Sequence, residues 1–379
     1  MIQWTTAATT VMTNATLTIR DHHFDTAALA TSAALPNASA NEQAALDFCC
    51  EWLSPAQSFM VDTSGSTGVP KSIALSRTQM CASVHATAAA LELLSGMRSL
   101  VCLPVHAIAG RMMLVRGLEL GLAMTLVEPA ANPLAALPAD AAIDFAAFVP
   151  LQLETLLAGP ERARVDAMHA VLVGGGPINR ALAEAIAPLH APIYHTYGMT
   201  ETATHVALRR LSGPAGSNTF IPLPGVALRL DARGSLAIQG PMTEGGWVQT
   251  NDLVNLHNDG SFVWLGRLDN VVNTGGIKVH FEPLEAVLET LLPELLGGAW
   301  DGRRFAIAAQ PDARLGQMVV LLLEGASWPD DVQGTLLRAL RERLGPYEAP
   351  RVLHYADRFA ETSTGKIDRA ATLARATSA

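Results

Sequence analysis

Between residues 99 and 202 the chain repeats one pattern, and that pattern narrows what it can fold into. Short, mostly apolar runs at 99–104, 124–127, 170–173 and 192–195 each give way to a small or polar break. Helical segments follow, one opening around Arg111 and another over 179–189. Strands that lack polar alternation are buried on both faces and belong to parallel sheets covered by helices. Upstream, 16–19 reads as a strand, 42–53 as an amphipathic helix and 77–94 as an Ala-rich helix. From about 225 the pattern changes: short strands at 226–230, 235–239, 247–251 and 262–265 are punctuated by Arg233-Gly234 and Asp259-Gly260, which are hairpin signals. Beyond 269, strands at 277–279, 305–310 and 318–323 and helices from about 283 and over 331–344 make an α+β unit. The predicted fold is α/β: a large N-terminal domain of mixed and parallel sheets with helices plus a small β-subdomain, then a small α+β C-terminal domain. The boundaries are 1–268, with the β-subdomain at about 220–268, and 269–379.

Charge and cysteine content exclude some roles. The 379 residues carry a net charge of −9, which argues against non-specific nucleic-acid binding and a basic membrane patch. Four cysteines without metal-ligand spacing suit packed thiols of a reducing compartment. The adjacent His22 and His23 would point to opposite faces of a strand, which speaks against a shared metal. No signal peptide and no apolar run of membrane-spanning length are evident, so a cytoplasmic protein without membrane insertion is expected.

The chemistry-bearing stretch is 61–71. Thr63, Ser64, Gly65, Ser66, Thr67, Gly68 and Lys71 combine hydroxyl donors, bare backbone and one cation between two short strands. Such a loop can hold a polyphosphate, although its spacing is not that of a Walker motif. A solvated Gly/Ser turn is the plainer alternative, and the residues of this stretch alone leave both open. Gly174-Gly175-Gly176 after the strand at 170–173 suits a flat ring lying on backbone, but Asn179 stands where a dinucleotide fingerprint needs glycine. His106, just past the strand at 99–104, sits where α/β proteins place ligands, and a packed structural histidine is the alternative there.

Residues 63–71, Tyr197-Gly198-Met199-Thr200-Glu201, Thr250-Asn251-Asp252, Gly266-Arg267-Leu268-Asp269 and Gly365-Lys366-Ile367-Asp368-Arg369 together resemble, in order, the motifs of the adenylate-forming superfamily of acyl- and aryl-CoA synthetases and firefly luciferase. Residues 195–208 with 103–106 are most similar to the o-succinylbenzoate–CoA ligases of menaquinone biosynthesis. The chain departs from the usual pattern at Ser72 and Asn251, where relatives carry glycine, and in a shorter segment ahead of Thr63, so a reduced N-terminal subdomain is expected.

The resemblance implies that a carboxylate and ATP give an acyl-adenylate, which coenzyme A then converts to a thioester. It implies Thr63, Ser64, Gly65, Ser66, Thr67, Gly68 and Lys71 on the β- and γ-phosphates, Glu201 on Mg2+ and Thr200 on the α-phosphate. Tyr197 with Gly198 would stack on adenine, Gly174, Gly175 and Gly176 would wall it, and His195 would reach its amino edge. Asp252 and Arg267 would hold the ribose, and Lys366 would be the main catalytic residue. Asp269 would be a hinge, and Gly275 and Gly276 would line the coenzyme A channel. For an aryl acid bearing a second carboxylate, His106, Arg111, Thr204 and His205 are the candidate donors. Small-molecule partners only are implied, with homo-oligomers left open. Three function classes follow: this aryl-CoA ligase, an adenylating enzyme for another aryl acid or a carrier-protein thiol, and a nucleotide binder without chemistry.

Overall fold

The computed structural model describes residues 14–31, 34–63, 71–361 and 367–378. The chain divides into two compact units. The first comprises Met1–Thr63, Ser72–Ala227 and Ile238–Val248, and the second includes Leu228–Ala237 and Gln249–Ala379.

The first unit is built on β1 (Thr16–Ile19), β2 (His22–Asp25), β5 (Arg98–Val101), β6 (Ala123–Leu126), β7 (Phe145–Phe148), β8 (Ala170–Val173), β9 (Ile193–Gly198), β10 (His205–Arg210) and β11 (Ile221–Pro222). Between β2 and β5 lie β3 (Ser58–Thr63) and β4 (Lys71–Ser76), which pair as a separate two-stranded sheet. The nine strands run in the order β11-β10-β9-β8-β7-β5-β6-β1-β2. From β9 to β1 every pairing is parallel, and antiparallel strands close both ends. The apolar runs of the sequence are therefore the covered centre of this sheet, where Leu100, Phe148, Val171 and Ile193 share one core with Leu153 and Ile186 from flanking helices. Each such side chain stabilises the fold by about 1.5–3 kcal/mol on full burial.

The helices of this unit are α1 (Thr26–Ala30), α2 (Ala40–Leu53), α3 (Arg77–Leu91), α4 (Ile108–Leu120), α5 (Pro150–Ala158), α6 (Arg162–Asp166) and α7 (Arg180–Ile186). Ser39 with Glu42 and Ser76 with Gln79 form reciprocal capping boxes that start α2 and α3. The helix expected to run to 94 ends at Leu91, because Glu92 takes a left-handed conformation and terminates it. The strand expected over 192–195 continues to Gly198, because the antiparallel β10 pairs with it across Tyr197 and Gly198.

In the second unit β12 (Ala227–Leu230), β13 (Ser235–Gln239), β14 (Val248–Leu256) and β15 (Phe262–Arg267) form a four-stranded sheet in chain order. Its further part holds β16 (Val271–Thr274), β17 (Ile277–His280), α8 (Phe281–Leu296), β18 (Phe305–Asp312), β19 (Gly316–Glu324), α9 (Asp330–Leu344), β20 (Leu353–Ala356) and α10 (Arg369–Ser378). Here the strand order is β17-β16-β19-β18, with β20 parallel to β19. Leu288, Leu292, Val319, Leu321 and Leu340 fill its core. The mixed α/β class read from the sequence matches this architecture. Among the described residues no helix is long and apolar enough to cross a membrane.

Candidate active site

The polar residues expected to bind ligands gather where β9 turns into β10. Gly198 ends β9 so tightly against the returning strand that a Cβ there would sit 2.2 Å from the Thr204 carbonyl oxygen. Only glycine permits that approach. Thr200–Thr202 forms a single 3-10 turn, and the Thr202 hydroxyl donates toward the carbonyls of Met199 (2.9 Å) and Thr204 (2.7 Å). Ala203 then takes φ 60° and ψ −57°, and Thr204 N–H donates to the Thr202 carbonyl at 2.7 Å. That is a γ-turn of the strained kind, costing roughly 1–3 kcal/mol. Its effect is to leave Glu201 exposed on one side while Thr204 and His205 turn inward on the other.

Inward of that turn lies a buried polar cluster from three elements. Arg116 of α4 is 2% exposed, and its Nη2 donates to Thr204 Oγ1 at 3.1 Å. Thr204 Oγ1 also meets Ser83 Oγ of α3 at 2.8 Å. Thr87, one turn along α3, donates its hydroxyl to the Ser83 carbonyl at 2.8 Å, so its oxygen accepts from His205 Nε2 at 3.1 Å. His205 is thus a neutral imidazole: burial, and then the Arg116 charge, push its pKa well below the ordinary value. Burial likewise lowers Arg116 to about 10, which leaves it cationic at neutral pH. Its Nε has no hydrogen-bond partner, and among the described residues no carboxylate pairs with it. A buried cation without a counter-charge is costly unless a ligand supplies one.

Thr204 and His205, both named as acid-site candidates, border a cation that the sequence reading passed over. Arg111 is not that cation. Its guanidinium donates to the backbone carbonyls of Val105 and Met60 and lies 5.3 Å from the Phe48 ring centroid. The two arginines sit five positions apart on one helix, about 140° around its axis, so only one can face the cluster. The signal was present: Arg116 interrupts Met112-Met113-Leu114-Val115 and Gly117-Leu118, all buried. His106 is exposed, and its neighbour Val105 is tied to Asn41 Oδ1 at 2.9 Å.

On the other side of β9, Gly174 approaches so closely that a Cβ would lie 2.1 Å from Thr196 Oγ1. Gly174-Gly175-Gly176 leads from β8 to Asn179, whose side chain caps α7. His195, directly across the ladder from Arg209, accepts at Nδ1 from Arg209 Nη2 at 3.1 Å. The ring is thus engaged within the protein at Nδ1. Burial, with the Arg209 charge second, lowers its pKa to about 4. Phe220 packs between, with its ring centroid 5.5 Å from that of His195 and 5.8 Å from that of Tyr197.

In the second unit Asp252 of β14 and Arg267 of β15 are direct cross-strand partners, with Oδ1 and Nη1 3.9 Å apart. Trp264 Nε1 donates to the same carboxylate at 3.3 Å, and Arg267 also reaches Asp269 at 3.0 Å. The expected ribose pair is therefore assembled by strand register. Asp269 is exposed on the short turn Leu268–Asn270 that links β15 to β16. Gly275 and Gly276 form the turn between β16 and β17, with the Tyr347 ring close against Gly275. Ser64, Gly65, Ser66, Thr67, Gly68 and Lys366 lie outside the described residues, and the side chains of Thr63 and Lys71 do too.

Residues 10–245 match a family model described as AMP-binding enzyme. A probable 2-succinylbenzoate–CoA ligase of Mycobacterium tuberculosis is 32% identical over 343 residues, covering 83% of this chain and 84% of the relative. A solved structure from Dyadobacter fermentans, an acyl-CoA synthetase (AMP-forming)/AMP-acid ligase II-like protein, is 43% identical. It covers 90% of this chain and 96% of its own, with a TM-score of 0.61. The o-succinylbenzoate CoA synthetase of Bacillus subtilis, solved with the acyl-adenylate OSB-AMP, shares the fold at a TM-score of 0.68 and 22% identity, covering 82% of this chain and 68% of its own.

Proposed function

The chain belongs to the AMP-binding enzyme family and is an ATP-dependent, AMP-forming acyl-CoA ligase, and from that premise we propose that its acid is o-succinylbenzoate, converted to the coenzyme A thioester for menaquinone synthesis. The observation that carries this reading is Arg116. A buried guanidinium with an open Nε, bordered by Ser83, Thr204 and His205, suits a substrate that brings a carboxylate besides the one it activates. The second reading, a ligase for another aryl acid or for a carrier-protein thiol, is favoured by the higher identity to the more generally described synthetase of Dyadobacter fermentans.

In the adenylation step the acid carboxylate attacks the α-phosphorus and pyrophosphate departs. Charge grows on the phosphate oxygens, so fixed donors and cations supply most of the rate. We assign residues 63–68 and Lys71 to the β- and γ-phosphates, Thr200 to the α-phosphate, and Lys366 to the charge shared by attacking carboxylate and α-phosphate. Tyr197, Gly198 and Gly174–Gly176 would hold the base, and Asp252 with Arg267 the ribose hydroxyls. Magnesium fits the donor set: it favours one or two carboxylates completed by substrate phosphates and water. Glu201 is an exposed carboxylate. Bound there, Mg2+ would neutralise phosphate charge. The 269–379 segment would turn about Asp269 so that Gly275 and Gly276 line the pantetheine path in the thioester step.

The test is to offer aryl mono-acids, aryl di-acids and fatty acids with ATP and coenzyme A, reading thioesters by mass. o-Succinylbenzoate should give the highest kcat/KM. Equal turnover of mono-acids lacking the second carboxylate would overturn the assignment.

A further inference from the structure

The link from β15 to β16 is touched on both sides of Asp269 by one carboxylate. Glu282 stands in the first turn of α8, where a helix N-terminus favours negative charge. The antiparallel register that sets Val271 opposite His280 brings this turn beside Asn270, and Asn270 Nδ2 donates to Glu282 Oε1 at 2.5 Å. The other oxygen points back across Asp269 to β15: a Cβ on Gly266 would lie 2.5 Å from Glu282 Oε2. Gly266 pairs with Leu253 of β14 and takes φ 133°, so glycine there both permits the backbone angle and leaves room for the carboxylate. Glu282 Oε2 is buried and has no hydrogen-bond partner among the described residues. A carboxylate oxygen shut away from water without a donor is a cost to whatever arrangement holds it there.

A turn of the chain at Asp269 would act on the two contacts differently. Asn270 leads into β16, and β16, β17 and α8 are joined by strand pairing, so the Asn270–Glu282 bond would move as one piece. Gly266 belongs to the β14–β15 ladder and would stay behind, so Oε2 would leave Gly266 and meet water. We infer that Glu282 is a positioning residue for the ligase cycle: its orphan oxygen raises the free energy of the arrangement seen here and keeps the 269–379 segment ready to turn between adenylation and thioester formation. This rests on the reading that the segment turns about Asp269. Asn270 aims the oxygen, and without that bond the side chain can swing out to solvent. The carboxylate is thus a spring and not a clasp, and the two differ in sign. Removing a clasp destabilises the arrangement, whereas removing a spring stabilises it.

The test compares the full chain with Glu282→Met, Glu282→Gln and Asn270→Ala. Pyrophosphate exchange follows adenylation, and thioester formation from a supplied acyl-adenylate follows the second step. Glu282→Met keeps a similar length and drops the charge, so the observed arrangement should become favoured and the urea midpoint should rise. One half-reaction should then slow about tenfold while the other keeps its rate. Asn270→Ala should slow the same half-reaction, and Glu282→Gln, isosteric and uncharged, should fall between Glu282→Met and the parent. A lower midpoint in Glu282→Met, no change in either half-reaction or equal losses in both overturns the inference. So do Glu282→Met and Asn270→Ala slowing opposite steps. Asp269→Pro, which restricts the backbone at the turn, separates the two readings. If it slows one half-reaction and the Glu282 variants slow neither, only the role of Glu282 fails. If it too leaves both rates intact, the turn about Asp269 fails and the inference falls with it.

Discussion

At the scale of residues, the deciding feature is a charge held where charges are expensive. Arg116 is cationic and buried, with a hydroxyl and a sulfur at its guanidinium and, among the described residues, no carboxylate paired with it. Natural sites accept such a cost when a ligand offsets it. Arg116→Met is therefore expected to gain about 1 kcal/mol in urea unfolding, while KM for o-succinylbenzoate rises at least tenfold, as for a lost charge-assisted contact worth roughly 1.5–3 kcal/mol. KM for ATP should stay put; a parallel rise would argue for general damage. The half-buried His195 and the buried His205 set an acid limit. His195 is lowered to about 4 from 6.5, so the unfolded chain takes up a proton first as pH falls. Stability is full above pH 6.5 and is lost progressively down to about 4, by roughly 3 kcal/mol for this group, and His205 acts in the same direction. Urea midpoints measured between pH 7 and 4 should fall along that window, and the fall should be shallower in His195→Asn. A flat profile in the parent protein would contradict neutral His195 and His205.

At the scale of elements, the junction between β8 and β9 depends on a missing side chain. Gly174→Ala would drive its methyl into Thr196 Oγ1 and is expected to destabilise by about 1–3 kcal/mol, the usual range for overpacking. Removing that oxygen in Gly174→Ala with Thr196→Ala should restore most of the loss, because the next nearest atoms, Cβ and Cγ2 of the same Thr196 side chain, lie at 3.5 and 4.0 Å. Thermal melts of the two variants would decide. Strands β5, β6, β8 and β9 were readable because each is a local apolar run between breakers. β10 was not: His205-Val206-Ala207-Leu208-Arg209-Arg210 carries its polar ends into the sheet, and its strand character comes from pairing with β9. β16, β20 and α10 were missed for the same reason, their short segments being ordered by neighbours rather than by propensity.

At the scale of the whole molecule, one lysine far along the chain from the phosphate loop is proposed to serve only one of two half-reactions. Lys366→Ala should abolish pyrophosphate exchange yet largely spare thioester formation from a supplied acyl-adenylate. Equal loss in both would refute the division of labour and the turn about Asp269 with it. What the chain's letters determined unaided was the α/β class, the order of the motifs and the residue types proposed to surround a triphosphate. These depend on local runs and short spacings, which a linear string preserves. Which arginine of α4 meets Thr204, which nitrogen of His195 carries the proton, and how Asp252 finds Arg267 were decided only by the tertiary structure. Helix rotation and strand register are set by packing between distant segments, and a change of one position in either exchanges the buried face for the exposed one.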